Sequence, residues 1–264
     1  MHTEFRTLLR QTSALTSITA IGVLLAQPVL ANPLGGDVVS GSATISSPDP
    51  STTLINQSTD SAVINWDSFN IGVGELTQFD LPNSDSWTLN RVVGSQSPSV
   101  IQGSIVSNGN IVIVNPDGMH FGPGSKIDVN RLIASTADIT NDNFMAGQLD
   151  YGIAGNPSAS IVNEGVISAA DYGLAALVAP SVRNSGVIMA RLGTVSLASG
   201  NSFTIDPYGD GLIKLAVGDE IAGDVFDVAT GEAVSDLVSN DGTLSADGGT
   251  VAMTAATARQ AVNS

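Results

Sequence analysis

Beyond the first thirty residues the chain offers one histidine, His120, placed two residues after the run Asn115-Pro116-Asp117-Gly118. A lone imidazole can act as a general base. No Gly-x-Ser-x-Gly elbow accompanies it in an interpretable context, so its place beside a turn is read as structural. The absence of cysteine removes a thiol nucleophile, a disulfide framework and thiolate metal ligands. Zinc needs more ligands than one histidine supplies. The remaining chemistry lies in carboxylates: Asp206, Asp210, Asp219, Glu220, Asp224 and Asp227 crowd one segment, with Lys214 as the nearby base and Tyr208 and Phe226 as aromatic neighbours. Paired acids of this kind cleave glycosides, but a solvated acidic loop accounts for them more simply. Asp206-Pro-Tyr-Gly-Asp-Gly211 lacks the distal Glu of a calcium loop. No catalytic residue, metal or cofactor is assigned.

Composition explains why chemistry is sparse. Of 264 residues, 13% are charged and 42% hydrophobic, with 9 Lys+Arg against 25 Asp+Glu. Ample apolar content argues against disorder. Gly, Ser, Asn, Thr and Val dominate instead of helix formers, which is the make-up of short strands and tight turns. A net charge of −16 excludes nucleic acid as a partner, because phosphates would be repelled.

The first residues read as an address. Arg6 and Arg10 precede an apolar run densest over Ala20–Ala26, and Val29-Leu30-Ala31 offers small or modest side chains for a signal peptidase. This predicts a signal peptide over residues 1–31, cleaved after Ala31. The apolar stretch is shorter than the ~20 residues a membrane span needs, and Gln27-Pro28 closes it.

The later part of the chain is repetitive. Ile161–Pro180, Val182–Gly200 and Val238–Ala256 align on a shared pattern of Asn, any residue, Gly, a β-branched residue, then a turn, Gly and an alternating strand. Val187, Ile188, Val195 and Leu197 match Val166, Ile167, Ala175 and Leu177. The pattern predicts an all-β chain, a right-handed parallel β-helix (solenoid) with apolar residues inward and polar ones outward. Asn163, Asn184 and Asn240 would form a structural corner ladder of stacked amides. Gly165, Gly186 and Gly242 beside them would supply positive φ or close approach of coils. At 20-odd residues per coil, the chain beyond Ala31 would make roughly ten coils, on the order of 40–50 Å of stack. Gly35–Ile64 is expected to supply amino-terminal capping strands. Tyr208–Glu232 breaks the repeat and is expected to form an extra-helical hairpin or distorted coil. The best helix candidate is Ala-rich Thr254–Val262, and Trp66 and Phe69 belong to a buried amino-terminal core.

Five ordered blocks then carry a family resemblance: Ile64–Gly72, Leu89–Gly94, Ile101–Gly103, Ile111–Gly122, and Leu132–Thr136 with Asp138-Ile139. They resemble the amino-terminal secretion domain of filamentous haemagglutinin-like proteins, the exported partners of two-partner secretion. The family's usual Asn-Pro-Asn-Gly turn reads Asn115-Pro116-Asp117-Gly118 here, and its Asn-Pro-Asn-Leu motif is absent. The resemblance implies a secretion domain over 32–150 and a β-helix extension over 151–264, continuing in a longer parent chain. It implies passage through the periplasm and an outer-membrane β-barrel transporter whose periplasmic polypeptide-transport-associated domains recognise this region. The protein would then be secreted or stay at the cell surface, with its host or neighbouring-cell receptor unknown. Asn115, Pro116, Asp117 and Gly118 are the expected determinants of secretion, through turn geometry or transporter recognition. The chain is read as part of a secreted or surface-exposed adhesin or haemagglutinin and not as an enzyme; the alternatives are a secreted β-helix polysaccharide hydrolase or lyase, against which the scarcity of Lys and Arg speaks, and the transport module of a contact-dependent toxin or cytolysin.

Overall fold

Most β-forming runs are three to seven residues long, the longer Lys126–Ser135 and Val166–Ala179 each spanning two faces, and they pair one turn after another. The computed structural model describes residues 31–206, 213–215, 220, 221, 223–255, 257 and 258. Each coil passes through three faces. In one coil these are Ser181–Asn184, Val187–Ala190 and Thr194–Ser199. The first face pairs, in parallel, with Ser160–Asn163 before it and Val238–Asn240 after it. The other two pair in the same sense with the two halves of Val166–Ala179 and with Thr243–Ser245 and Thr250–Ala255. The chain is therefore a parallel β-helix.

Register obeys the repeat: Val166 lies on Val187, Ile167 on Ile188, Ala175 on Val195 and Leu177 on Leu197. The inward ladder Ile105, Ile127, Ile167, Ile188, Leu244 runs unbroken along the second face. One apolar core joins these side chains from Ile55 to Ala246 and contains Trp66 and Phe69, packed edge to face with centroids 5.6 Å apart. Burying such ladders is the main stabilising term, at roughly 1.5–3 kcal/mol for each large side chain.

The amino-terminal end is closed by antiparallel pairing. Asp37–Ser40 lies against Ser61–Trp66, and Ala43–Asp49 against Thr52–Gln57. These strands cover the first coil, which would otherwise present a free edge.

Three expectations need correction. The described residues hold seven coils, from Thr52–Trp66 to Thr243–Ala255, a stack of about 30 Å at ~4.8 Å per coil. Ten were expected because residues 136–159 and 200–237 were counted as coil although they leave the stack. Thr254 and Ala255 are strand, not helix, since Thr250–Ala255 completes the ladder over Thr194–Ser199; tertiary pairing overrides alanine's helix preference. The third difference concerns outward residues. Val63, Leu89, Val112, Ile133 and Ala176 stack on the outside of the third face, where polar side chains were expected.

Those outward residues belong to a second apolar core. The helix Asn141–Met145 contributes Phe144, and strand Asp150–Tyr151 contributes Tyr151. An antiparallel hairpin, Phe203–Ile205 with Ile213–Leu215, adds Phe203, Ile205 and Ile213. Tyr151 stacks on Phe203 with centroids 4.4 Å apart. The extra-helical hairpin thus starts before the expected Tyr208–Glu232, parts of which lie outside the described residues. Its other end, Gly223–Asp236, lies back against the first face, where Phe226 N–H donates to the Ser158 carbonyl.

Candidate functional site

The Asn115–Gly118 turn sits at a corner between the third and first faces. Asn115 is fully buried. Its Nδ2 donates to the Ser97 carbonyl (3.1 Å) and to Ser99 Oγ (2.9 Å), both in the preceding coil. Its Oδ1 accepts from Asp117 N–H at 3.0 Å, and its carbonyl accepts from Gly118 N–H. This is an Asx turn inside a β-turn, which asks for Asn first and a flexible residue last. Gly118 has φ +102°, and a Cβ there would meet the Ser160 carbonyl of the next coil at 2.4 Å. Pro116 and Asp117 are half-buried and face the next coil. The Pro116 carbonyl accepts from Asn156 N–H, and Asp117 Oδ1 accepts from Asn156 Nδ2 at 3.3 Å. The four residues therefore rivet three successive coils, and only Pro116 and Asp117 retain surface.

A second corner carries the three asparagines. Asn163, Asn184 and Asn240 occupy one register. Asn163 Nδ2 donates to Asn184 Oδ1, and Asn184 Nδ2 donates to Asn240 Oδ1, each at 2.7 Å. None of the three takes a left-handed backbone; among the described non-glycine residues only Tyr172 and Leu192 do. The neighbouring glycines serve close approach. A Cβ on Gly186 would lie 2.2 Å from the Gly165 carbonyl, and one on Gly242 would lie 2.1 Å from that of Gly186.

His120 heads a chain of polar contacts across the first face. Its Nε2 lies 2.8 Å from Glu164 Oε2, and Glu164 Oε1 lies 3.5 Å from the Arg183 guanidinium. Arg183 Nε donates to Asp227 at 2.6 Å. Burial opposes ionisation of Asp227, but bonds from Arg183 and from the Ala229 and Thr230 N–H groups outweigh it and hold the carboxyl below its ordinary value. The same pairing raises Arg183. Asp227 is therefore no part of a solvated acidic loop. A cavity of about 370 Å³ opens beside this pair, and its lining includes Glu164, Arg183, Asp227, Glu232 and Asp236. Asp224 is exposed, as is Asp206, while Asp210 and Asp219 lie outside the described residues. Among the described residues no group of three or more His, Asp or Glu could hold a metal ion.

The remaining polar feature had no signal beyond the presence of a rare arginine. Arg91 binds Asp138, Asn141 and the Ile139 carbonyl at 2.6–2.9 Å, and so fastens the outer layer to the stack. Residues 1–30, which carry the expected signal peptide, lie outside the described residues. Ala31 is described, and its N–H donates to Glu75 Oε1 at 2.7 Å.

A family model described as TPS secretion domain matches residues 31–264. Two heme/hemopexin-binding proteins of Haemophilus influenzae are each 37% identical, over 101 and 107 residues, 38% and 40% of this chain. The matched segments span 11% and 12% of those relatives' length. The HMW1 secretion domain of H. influenzae superposes with a TM-score of 0.69 at 32% identity, covering 85% of this chain and 57% of that one. The filamentous hemagglutinin secretion domain gives 0.48 at 13% identity, covering 87% and 100%.

Proposed function

This chain belongs to the TPS secretion domain family, and from that premise we propose that it is the export-directing amino-terminal module of a larger surface or secreted protein. The observation that carries this reading is the extent of the family match: residues 31–264 include the cap, the coils and the outer layer together. The partner is a dedicated outer-membrane β-barrel transporter, whose periplasmic polypeptide-transport-associated domains take the chain in an extended state. Short strands with unpaired edges suit such recognition by strand addition. Folding then proceeds coil on coil, each finished turn templating the next.

In this reading Asn115, Pro116, Asp117 and Gly118 act chiefly by closing a coil. Asn115 and Gly118 are buried in the folded state, so a role in docking falls to Pro116 and Asp117 or to the chain before it folds. The shared segment in the heme/hemopexin-binding relatives is read as their export module. In this chain His120 already faces Glu164. Adhesion is the role we propose for the parent protein, its receptor being borne outside the export machinery.

The test is co-expression with the transporter encoded beside it, with and without Asn115→Ala, assaying the medium and the periplasm. Transporter-dependent release, reduced by the substitution while periplasmic export persists, is the expected result. Release without the transporter would overturn the reading.

A further inference from the structure

The second apolar core stops at one margin, and a groove of about 310 Å³ opens there. Its origin is a small residue beside a large one. Trp87, which starts a third-face strand, is matched in the preceding coil by Ser61, so one flank of the indole has no bulky neighbour. The outer layer supplies the other wall with Phe144, Met145 and Leu149. Phe144 and Leu149 belong to the core, whereas Met145 is 40% exposed and Trp87 is 7% exposed. The helix Asn141–Met145 ends at this wall, with no basic side chain in its last turn. The rim is acidic. Asp60 precedes strand Ser61–Trp66, and Asp85 lies two residues before Trp87 in the next coil. Both are exposed, and among the described residues no Lys, Arg or His forms an ion pair with either. Asp60 takes a long bond, 3.5 Å, from Asn83 Nδ2.

We propose that this groove docks an arginine or lysine side chain, carried with an apolar neighbour on an extended segment of a partner protein. Such a side chain is apolar along its stem and positive at its head, which matches apolar walls below two carboxylates that lack a cation. The head would meet Asp60 and Asp85, and the stem would lie along Trp87 and Met145. A sugar suits the site less well. Ser61 is the one hydroxyl among the lining residues, and Trp87 is too deeply buried to offer a pyranose much ring face. A second copy of the chain is opposed by its net charge of −16, because two copies repel each other. The groove exists once the outer-layer helix and the first two coils have folded. Its partner therefore meets the folded protein and differs from the transporter, which in the reading above receives the extended chain.

The test uses the folded chain labelled with nitrogen-15 and read by NMR. The protein has two tryptophans, and the Trp66 indole N–H is bonded to Asn90 inside the inner core, which makes it the internal control for Trp87. The probes are three capped tripeptides with leucine at both ends and arginine, citrulline or glutamate between. The arginine peptide should shift the Trp87 indole N–H saturably while Trp66 stays in place, and the binding should weaken as salt is raised. Citrulline keeps the shape and loses the charge. Its peptide should bind about tenfold more weakly, as should the arginine peptide to Asp60→Asn/Asp85→Asn, the scale of two surface ion pairs lost together. The Trp66 resonance verifies that the double variant has kept its fold. An arginine peptide that leaves Trp87 unmoved, a citrulline or glutamate peptide that binds as well, or a double variant that binds undiminished overturns the proposal. A saturable shift of Trp87 produced by methyl glucoside, or by concentrating the protein alone, also overturns it, by assigning the groove to a sugar or to a second copy.

Discussion

Arg91 and Asp138, 47 residues apart, form an ion pair at 2.8 Å, and Arg91 directs its remaining donors to Asn65, Asn141 and the Ile139 carbonyl. Arg91 lies in a strand of the third face, and Asp138 leads into the helix that covers that face. Two of the family-like blocks, Leu89–Gly94 and Asp138-Ile139, are in this way one feature of the fold. Arg91→Met should cost about 3 kcal/mol, the order expected when a mostly buried pair loses one partner. Hydrogen exchange should quicken in residues 139–153 before it does in the stack. Uniform loss of protection would refute a clamp confined to the outer layer.

The asparagine ladder predicts an inequality. Asn184 both accepts from Asn163 and donates to Asn240, whereas Asn240 accepts from Asn184 at its end of the described ladder. Asn184→Ala should cost about 2–3 kcal/mol and Asn240→Ala about 1, at roughly 1 kcal/mol per bond with an added penalty for orphaned groups. Urea midpoints decide it; equal costs would mean that the amides do not act as a chain.

Two glycine substitutions should differ in kind. In Gly186→Ala the new methyl meets a carbonyl at 2.2 Å and must push two coils apart, a loss of about 3 kcal/mol or more. At Gly74, φ is +81° with nothing within 4 Å of a Cβ, so alanine incurs only about 1–2 kcal/mol of backbone strain. Similar losses at both sites would show that coil spacing is softer than the contacts imply.

The coil register, the inward ladders and the asparagine alignment were legible because repeats restate one geometric solution several times. The outer layer was not. Ile111–Val114 and Leu174–Ala179 are continuous apolar runs, and a strand buried on both sides reads that way. Their alternate members, Val112 and Ala176, were the available hint that something covers the stack. Its cover comes from the unrepeated segments around Phe144, Tyr151 and Phe203, which have no periodicity to read. The Arg183–Asp227 pair was hidden for the same reason, since Asp227 arrives from a non-repeating excursion.

Acid should loosen that excursion. Asp227 titrates below its ordinary 3.8 in the folded chain, so it binds fewer protons folded than unfolded. Its stabilising contribution is complete above that ordinary value and disappears as pH falls through the depressed one. Asp227→Asn should be less stable near neutrality and show a flatter acid limb in thermal melts. An unchanged acid limb would place the sensitivity elsewhere.

Tyr151 governs the opposite limb. Burial, helped by the charge of Asp138, raises its phenol well above the ordinary 10, and its hydroxyl has no hydrogen-bond partner among the described residues. Stability linked to this group is intact below that value and is lost as pH rises beyond it. Tyr151→Phe keeps the stack on Phe203, drops the buried hydroxyl and should gain up to about 1 kcal/mol while extending tolerance of alkali. A loss in neutral buffer would show that the hydroxyl is engaged.

Between Ser199 and Val238 the chain leaves the stack, builds part of the outer layer and returns so that Asn240 lies over Asn184. Neither the pitch nor the register of the coils depends on how much chain that detour takes up. A corner of this kind is a free port: lineages can lengthen, trim or exchange what emerges from it while the interior remains the same problem, already solved. Diversity at the surface and constancy in the export scaffold then need no compromise with each other.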